Sequence, residues 1–294
     1  EAIHEYFRSK GYYEFHSPTF TPNACEGGST LFEVNYFGKK MYLTQSWQLY
    51  AEAGIFALEK IYTVAPSFRA EKSHTSRHLT EYWHNEVETA WQSFDELIAQ
   101  AEDLVKHIVK KVLEKNKDEL KVLKRDVSKL QPTLKKKFPI ITYEEALKIL
   151  KEKKKMNVPW GKDLRTMEEE RLTELYDTPI IVTHYPKEIK AFYMKQNQKN
   201  PKTVNCFDML APEGCGEIIG ASEREIDVEE LRRKLKSQGE NLDIYEWYFD
   251  TRRYGSVPHA GFGLGIERVV KWVCGLENIK DAIPFPRTMV RFTP

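Results

Sequence analysis

The sequence reads Phe68-Arg69-Ala70-Glu71, then Arg77-His78 after a polar loop, and then a strand pattern that carries Tyr82, Glu86 and Glu88. Side chains alternate faces along a β-strand, so the Arg and the Glu of the first run point the same way. On the next strand the tyrosine and both carboxylates share one face. A guanidinium offers phosphate a planar fork of donors, and a carboxylate accepts from an amino group. The stretch therefore predicts either a site for a ligand with a phosphate and an amine, or a surface ladder of paired charges.

A second motif lies near the end of the chain, where Gly261-Phe262-Gly263-Leu264-Gly265-Ile266-Glu267-Arg268 leads into an apolar helical pattern. Glycines at alternate positions of a strand leave one face without side chains, so a flat ligand can lie against the backbone. Arg268, at the helix start, can then reach a phosphate. The spacing does not fit the dinucleotide or P-loop patterns. Alone, the motif is also typical of a helix packed tightly on a strand.

These two motifs resemble motifs 2 and 3 of the class II aminoacyl-tRNA synthetases, and Gly11 to Pro18, after a helical pattern, is similar to motif 1. The three occur in the family's order and span nearly the whole chain. The resemblance implies an α+β fold, an antiparallel β-sheet flanked by helices. It implies one catalytic domain over residues 1–294, without the family's N-terminal OB-type anticodon-binding domain. Motif 1 implies a homodimer.

Other segments resemble the group that activates aspartate, asparagine and lysine. They are Cys25-Glu26-Gly27-Gly28-Ser29-Thr30, Gln45 to Tyr50 and Glu217 to Gly220. Three more segments are most similar to the asparagine-specific members, namely Ile189 to Met194, Asp208 to Pro212 and Arg253 to His259. The resemblance therefore implies an enzyme that activates asparagine with ATP and Mg²⁺ and transfers it to its tRNA.

Residue by residue, the resemblance implies a site for both substrates. The implied ATP-binding residues are Arg69, Glu71, Arg77, His78, Tyr82, Glu217 and Arg268, of which Arg69 and Arg268 are also implied to be catalytic. The implied amino-acid-binding residues are Glu26, Gln48, Glu86 and Arg224, and the implied Mg²⁺ ligands are Glu217 and Asp208. In this scheme Arg69 bridges the amino-acid carboxylate and the α-phosphate, Glu71 accepts from the adenine amino group, and Tyr82 stacks on the base.

Substrate choice is expected to depend on charge. Aspartate-specific members carry Lys where this chain has Ala51 and Ser where it has Gly220. A second substrate carboxylate would lose its partner in a desolvated pocket without that lysine. Glu86 can accept from an amide NH₂ but repels a carboxylate, and Arg224 can donate to the amide oxygen. The chain departs from the asparagine-specific pattern at Glu223 and Trp47, both at the edges of the site.

Two other functions stay open at this stage. A relative of the synthetases could make free asparagine from an aspartyl adenylate and ammonia, although the absence of lysine at Ala51 argues against aspartate binding. A non-catalytic relative could only bind a nucleotide, an amino acid or a regulatory partner. The presence of Arg69, Glu71, Glu217 and Arg268 argues against that function.

Composition agrees with a soluble enzyme but does not by itself identify one. The 294 residues carry a formal net charge of +1, which is no general signature of nucleic-acid binding. The four cysteines show no metal-site spacing, so we expect reduced thiols, with a bridge between Cys206 and Cys215 as the alternative. No apolar run approaches the roughly 20 residues that span a bilayer, and no signal-peptide pattern is present. The chain begins in a helical pattern without a cap or an initiator Met, so we expect it to start inside a longer protein.

Several local structures are predicted as well. Residues 1–10 form an amphipathic helix, a hairpin turns at Gly38, and capping boxes start helices at Ser93 and Thr142. Later strands are predicted over 180–184, 191–194, 203–210 and 217–223. Glu217 and Arg224 are seven residues apart, so an unbroken strand would send them to opposite faces. We therefore predict a β-bulge or strand break between Glu217 and Ser222, with Gly220 as the permissive position.

Overall fold

The computed structural model describes residues 1–27, 30–72 and 76–293. Two of the residues quoted above, Gly28 and Ser29, therefore lie outside the described residues. In chain order, the strands are β1 (Tyr13–Glu14), β2 (Phe20–Thr21), β3 (Glu33–Tyr36), β4 (Lys39–Leu43), β5 (Lys60–Phe68), β6 (Glu81–Ala90), β7 (Ile140–Thr142), β8 (Ile180–Thr183), β9 (Cys206–Ala211), β10 (Gly216–Glu223) and β11 (His259–Gly265).

The α-helices flank these strands. In chain order they are α1 (Ala2–Ser9), α2 (Gln48–Leu58), α3 (Phe94–Lys115), α4 (Lys117–Val122), α5 (Gln131–Lys135), α6 (Tyr143–Lys154), α7 (Thr166–Thr173), α8 (Val228–Ser237), α9 (Glu246–Arg253) and α10 (Ile266–Cys274). Short 3₁₀ segments lie at Val127–Leu130, Lys187–Ile189, Leu242–Tyr245 and Ile279–Ala282. Among the described residues, no helix is long and apolar enough to cross a membrane.

A single large sheet organises the molecule, in the strand order β1-β5-β6-β11-β10-β9-β8-β7. The six strands from β5 to β8 pair antiparallel. The outermost pairs, β1 with β5 and β7 with β8, are parallel. A separate small sheet has the order β2-β4-β3 and contains the predicted hairpin. The expected α+β class, with a largely antiparallel sheet and flanking helices, is confirmed.

Helix α3 covers one face of the sheet. Its apolar line, Leu97, Leu104 and Ile108, is buried in the main core, and Val112 packs against that core at the helix end. The predicted capping boxes are present at both helix starts. Ser93 accepts from the backbone N–H of Glu96, and Thr142 accepts from that of Glu145, while each glutamate bonds back to the cap residue.

Strand β10 contains the predicted irregularity. Its register against β9 shifts between Glu217 and Ile219, so Ile218 is an extra residue in the ladder. Because of the extra residue, the side chains of Glu217 and Arg224 are on the same face of the sheet, and both line one cavity. The extra residue is Ile218 and not Gly220, so the glycine is not required for the bulge itself.

One predicted strand is wrong. Residues 191–194 form a turn that makes only an isolated bridge, between Met194 and Arg224. The apolar pattern there has another cause, because Phe192 and Tyr193 are buried against helices α8 and α9. All four cysteines, including Cys206 and Cys215, have free thiols.

Candidate active site

A cavity of about 680 Å³ opens on the face of the sheet formed by β6, β10 and β11. The start of α2, the loop at 25–27 and the segments 163–169 and 188–194 close its sides. Ten of the twelve predicted site residues line it, namely Glu26, Gln48, Arg69, Arg77, His78, Glu86, Asp208, Glu217, Arg224 and Arg268. The other two, Glu71 and Tyr82, line a slot of about 60 Å³ together with Arg69 and Arg268. All twelve residues are therefore brought together.

Three glycines of β11 make room for the cavity. In the ladder between β11 and β6, Gly261 is opposite Glu88, Gly263 is opposite Glu86, and Gly265 is opposite His84. A Cβ at Gly261 would overlap the Glu88 carboxylate, and one at Gly263 would overlap the His84 ring. Glycine is therefore needed at positions 261 and 263 so that the polar side chains of β6 can stand on this face, whereas a Cβ at Gly265 would meet only the Arg268 side chain at 3.4 Å or more.

Arg69 lines both the cavity and the slot and has no ion-pair partner among the residues that the structure describes. It follows β5 directly, and its guanidinium makes no hydrogen bond or ion pair with any residue that the structure describes. Its Nε is buried without a partner. The guanidinium lies 5.8 Å from the centroid of the Tyr82 ring. A buried donor group of this kind is suited to an anionic ligand.

The other cations of the nucleotide side have carboxylate partners. Arg268 Nη1 lies 3.0 Å from Glu217 Oε2 and donates to the Glu217 backbone oxygen at 3.0 Å. Burial acts to raise the pKa of Glu217, but Arg268, Lys190 and Arg69 hold it at about 2. Arg77 is paired with Glu169, which also accepts from the Glu217 backbone N–H at 3.0 Å. An incoming phosphate would compete with both carboxylates for these guanidinium groups.

The slot that contains Glu71 and Tyr82 shows a further contact. His78 Nε2 lies 3.5 Å from Glu71 Oε2, and both side chains line the slot with Tyr82. Burial lowers the pKa of His78 despite the neighbouring Glu71 carboxylate. The slot is narrow, so a base would have to widen it between Tyr82 and Arg268.

The two carboxylates expected to bind a metal lie close together. Both carboxylates approach Gly220. A Cβ placed on this glycine would lie 3.2 Å from Glu217 Oε1 and 3.9 Å from Asp208 Oδ1. Asp208 Oδ2 accepts from Lys190 Nζ at 2.8 Å, and that ammonium lies 4.0 Å from the centroid of the Tyr185 ring. Within the described residues, no three His, Cys, Asp or Glu side chains gather as a metal site. Two carboxylates suit Mg²⁺, which usually keeps waters and substrate phosphates as its other ligands.

At the opposite end of the cavity, Glu86 accepts from Ser46 Oγ and from the Trp47 backbone N–H, the latter at 2.9 Å. Burial raises the pKa of Glu86 to about 7, although these two hydrogen bonds act to lower it. His84 Nδ1 lies 3.5 Å away, but burial, assisted by Arg69, lowers the pKa of His84 to about 3, so its ring is neutral. Glu86 therefore titrates near neutral pH.

Arg224 is held in place by residues that the sequence did not assign to the site. Its Nε and Nη2 donate to the two oxygens of Glu88 at 3.0 and 2.9 Å, and its Nη1 donates to Ser222 Oγ at 2.8 Å. The guanidinium also lies 5.2 Å from the centroid of the Tyr193 ring. The bidentate geometry fixes the guanidinium plane against the cavity.

Hydrogen bonds with Gln45 and Tyr193 fix the loop that carries Glu26. Gln45 Oε1 accepts from the backbone N–H groups of Cys25 and Glu26, both at 3.0 Å, and Gln45 Nε2 donates to the Gly27 oxygen at 2.9 Å. Tyr193 donates its hydroxyl hydrogen to Glu26 Oε1 at 2.5 Å. These contacts point the Glu26 carboxylate into the cavity.

Sequence reasoning placed Glu88 on the same strand face as Glu86 but gave it no role, and it missed Glu169, Lys190 and Tyr193 as site residues. Lys190 and Tyr193 lie inside a quoted motif. No local pattern marks Glu169. Ala51, in contrast, is fully buried beside Trp47 and Ile61 and does not line the cavity. A lysine at that position would need space that these side chains now fill.

Comparisons with known proteins agree with this geometry. The family model of class II tRNA synthetases for D, K and N matches residues 1–289. The asparagine–tRNA ligase of Pyrococcus furiosus is 50% identical over 293 residues, which cover 100% of this chain and 67% of that protein. The asparagine–tRNA ligase of Thermus thermophilus is 47% identical over 299 residues, which cover 100% of this chain and 68% of that protein.

Solved structures are similar over the whole chain. The asparaginyl-tRNA synthetase of Pyrococcus horikoshii, complexed with asparaginyl-adenylate, has a TM-score of 0.97 at 49% identity, with 67% of its chain covered. The aspartyl-tRNA synthetase of Entamoeba histolytica has a TM-score of 0.83 at 28% identity, with 57% of its chain covered. This chain is thus similar to both specificities in fold and more similar to the asparagine enzymes in sequence.

The glycines of β11 provide a test of the cavity floor. We expect Gly261→Ala to lower the free energy of unfolding by about 1–3 kcal/mol, because its Cβ would overlap Glu88 and crowd Arg224 in a fully packed layer. Gly265→Ala is the matched control in the same strand, since its Cβ would meet only the flexible Arg268 side chain at 3.4 Å or more. Denaturant unfolding of both variants measures the difference. Equal effects would contradict the described packing.

Proposed function

The chain belongs to the class II tRNA synthetases of the aspartate, lysine and asparagine group, and from this membership we propose how its cavity works. The enzyme is an ATP-dependent asparagine–tRNA ligase: it activates asparagine to asparaginyl adenylate and transfers it to the 3′ end of tRNA. The observation that carries this assignment is the cavity itself. It unites Arg69, an arginine for phosphate that has no carboxylate partner within the described part of the chain, with a buried glutamate and a fixed arginine suited to an amide.

Activation requires two anions to meet. An oxygen of the asparagine carboxylate bonds to the α-phosphorus of ATP, and the bond to the leaving pyrophosphate breaks. We propose that Arg69 bridges the carboxylate and the α-phosphate, since it is the central cation without a partner among the described residues. Positioning and charge neutralisation are sufficient for such a step, and no nucleophilic side chain is required. The terminal tRNA hydroxyl then attacks the activated carbonyl, which releases AMP.

The remaining nucleotide contacts follow from the slot beside Arg69. Tyr82 would stack on adenine, and Glu71 would accept from its amino group. Arg77, His78 and Arg268 would hold the outer phosphates. The pairing of Arg77 with Glu169 and of Arg268 with Glu217 keeps both guanidinium groups oriented before ATP arrives.

Glu217 and Asp208 would hold Mg²⁺, whose role when bound is to neutralise phosphate charge. Their oxygens lie on the same side of Gly220, which supports the assignment. Lys190 already neutralises one oxygen of Asp208. Arg268 in the same way lies against one oxygen of Glu217, so each carboxylate has its other oxygen, the one nearer Gly220, to offer to the metal.

Substrate choice is proposed to rest on Glu86 and Arg224. Glu86 would accept from the amide NH₂ of asparagine, and Arg224 would donate to the amide oxygen. Glu26 and Gln48 would bind the α-ammonium group. The bidentate pair with Glu88 reduces the positive charge that Arg224 presents to a carboxylate, which disfavours aspartate.

We also propose partners and a location for this chain. Its tRNA partner is the asparagine acceptor, and a cytoplasmic location follows from the use of ATP and tRNA. The chain spans about two thirds of the curated relatives that it matches, so residues 1–294 are proposed to be the catalytic domain of the reaction. We propose a homodimer through α1 and the segment that ends at Pro18.

The first test is amino-acid-dependent exchange between ATP and pyrophosphate. We expect exchange to be much faster with asparagine than with aspartate or lysine, because Glu86 accepts from an amide and repels a carboxylate. Arg69→Ala is expected to abolish exchange with all three amino acids and serves as the control for contaminating activity. Faster exchange with aspartate than with asparagine would refute the substrate assignment.

The second test concerns pH. Above pH 7 Glu86 is ionised, and below pH 7 its protonated form can donate to the aspartate side chain, which stays ionised throughout this range. The ratio of kcat/KM for asparagine to kcat/KM for aspartate is therefore expected to fall between pH 8.5 and pH 6, by up to about tenfold per unit. Other groups whose titration changes kcat/KM equally for both amino acids do not affect this ratio.

Glu86→Gln is the matched control for the pH experiment, because its amide keeps the size of the side chain and does not titrate. Its ratio should be independent of pH. A constant ratio in the unaltered protein, or an unchanged slope in the variant, would show that Glu86 does not set the discrimination.

The dimer is tested by light scattering. Strand β1 is the outer strand of the sheet, and its Tyr13 is 59% exposed, so a two-fold contact could bury both. We expect twice the chain mass at micromolar concentration and a shift toward the monomer in Tyr13→Asp. Val122→Asp, at an exposed position of α4, should remain dimeric. A monomer with full exchange activity would contradict the dimer proposal.

A further inference from the structure

Glu52 is a fully buried carboxylate that lies next to the amino-acid pocket but does not line it. It is on α2, one turn after Gln48. Its two oxygens have different surroundings. Oε1 accepts from Gln48 Nε2 at 2.9 Å. Oε2 accepts from Tyr248 Oη and His259 Nε2, each at 2.9 Å, and from Arg252.

This arrangement decides which end of the Gln48 amide faces the cavity. An ionised carboxylate only accepts hydrogen bonds, so the NH₂ of Gln48 has to face Glu52. Gln48 lines the cavity, and the group left to face it is the carbonyl oxygen. A carbonyl oxygen is the correct partner for an α-ammonium group, whereas an NH₂ would place donor against donor.

We infer that Glu52 is a positioning residue for amino-acid recognition, because it holds the Gln48 amide with its oxygen toward the α-ammonium group of the substrate. The inference rests on the proposed role of Gln48 as an α-ammonium ligand. Burial acts to raise the pKa of Glu52, but Arg252 and then His259 hold it below its usual value. Glu52 therefore stays an obligate acceptor over the working pH range.

The network also predicts what an amide at this position would do. In Glu52→Gln the side chain has one carbonyl oxygen and one NH₂ group. Arg252 has only donors to offer, so the carbonyl oxygen is required at the Oε2 position, where Tyr248 and His259 also bond. The NH₂ then takes the Oε1 position and faces Gln48. Gln48 must turn its oxygen to residue 52 and its NH₂ to the cavity.

The test compares asparagine with succinamate, its analogue without the α-amino group. In the unaltered enzyme, succinamate should inhibit asparagine-dependent exchange with a Ki well above the KM for asparagine, since it lacks the ammonium contact. In Glu52→Gln the KM for asparagine should rise by about tenfold or more, as for the loss of a hydrogen bond to a charged group. The Ki for succinamate should change by less than about threefold.

Tyr248→Phe is the matched control. It removes one hydrogen bond to Glu52 from the α9 side, while Arg252 and His259 still require an acceptor there, so the Gln48 orientation and the ratio of Ki to KM should not change. If Glu52→Gln does not fold because Arg252 is left with less charge compensation, Glu52→Met with Arg252→Met removes both charges. Residue 52 then offers no acceptor to the NH₂ group of Gln48, so the KM for asparagine should still rise while the Ki for succinamate changes by less than about threefold.

The possible outcomes decide whether Glu52 positions the Gln48 amide. A selective rise in the KM for asparagine supports the positioning role. An equal weakening of asparagine and succinamate would show a general disturbance of the pocket and overturn it, as would unchanged values for both. If succinamate binds the unaltered enzyme as tightly as asparagine, Gln48 is not an ammonium ligand and this inference fails while the ligase function stands. Absence of asparagine-dependent exchange in the unaltered enzyme would instead refute the proposed function.

Discussion

The register between β6 and β11 is the constraint on which the rest of the site depends. Alternate residues of β6 point into the cavity, and each stands opposite a glycine of β11, as Glu88 does with Gly261 and Glu86 with Gly263. A shift by one residue would bury the carboxylates on the wrong face and place apolar side chains in the cavity. The glycines therefore have a steric role, since a Cβ at either position would overlap a β6 side chain or its neighbour.

Charge compensation is the second condition for this cavity, because buried charges are costly unless they are paired. Five cations around it have carboxylate partners: Arg77 with Glu169, Lys190 with Asp208, Arg224 with Glu88, Arg252 with Glu52, and Arg268 with Glu217. These pairs hold the cations in place before substrates bind. Arg69 has no such partner among the described residues, and in the proposed mechanism it meets the anions of the reaction. The site is thus pre-organised for charge that arrives with ATP and asparagine.

The bulge at Ile218 links the two ends of the site. Glu217 lies beside Arg268 at one end and Arg224 lies beside Glu88 at the other, and the one extra residue between them puts both side chains on one face. The same strand therefore contributes to both half-sites without a change of direction. The buried network around Glu52 adds a further link, since it joins α2, α9 and β11 directly beneath the amino-acid pocket.

Much of this protein could be predicted from its sequence. Capping boxes and the hairpin are local patterns whose physics acts over a few residues. The site residues were identified by resemblance to a known family, and the bulge followed from the requirement that Glu217 and Arg224 share one face, although the extra residue is Ile218 and not Gly220. Only the tertiary structure showed that residues 191–194 are a turn, because their apolar character comes from packing on α8 and α9. Only the tertiary structure likewise showed that Glu52, Glu169 and Lys190 lie in or beside the site. The hydrogen-bond partners of these side chains, apart from Gln48, lie 18 to 207 residues away in the chain. No local pattern encodes such contacts, because they exist only once the sheet has brought distant segments together.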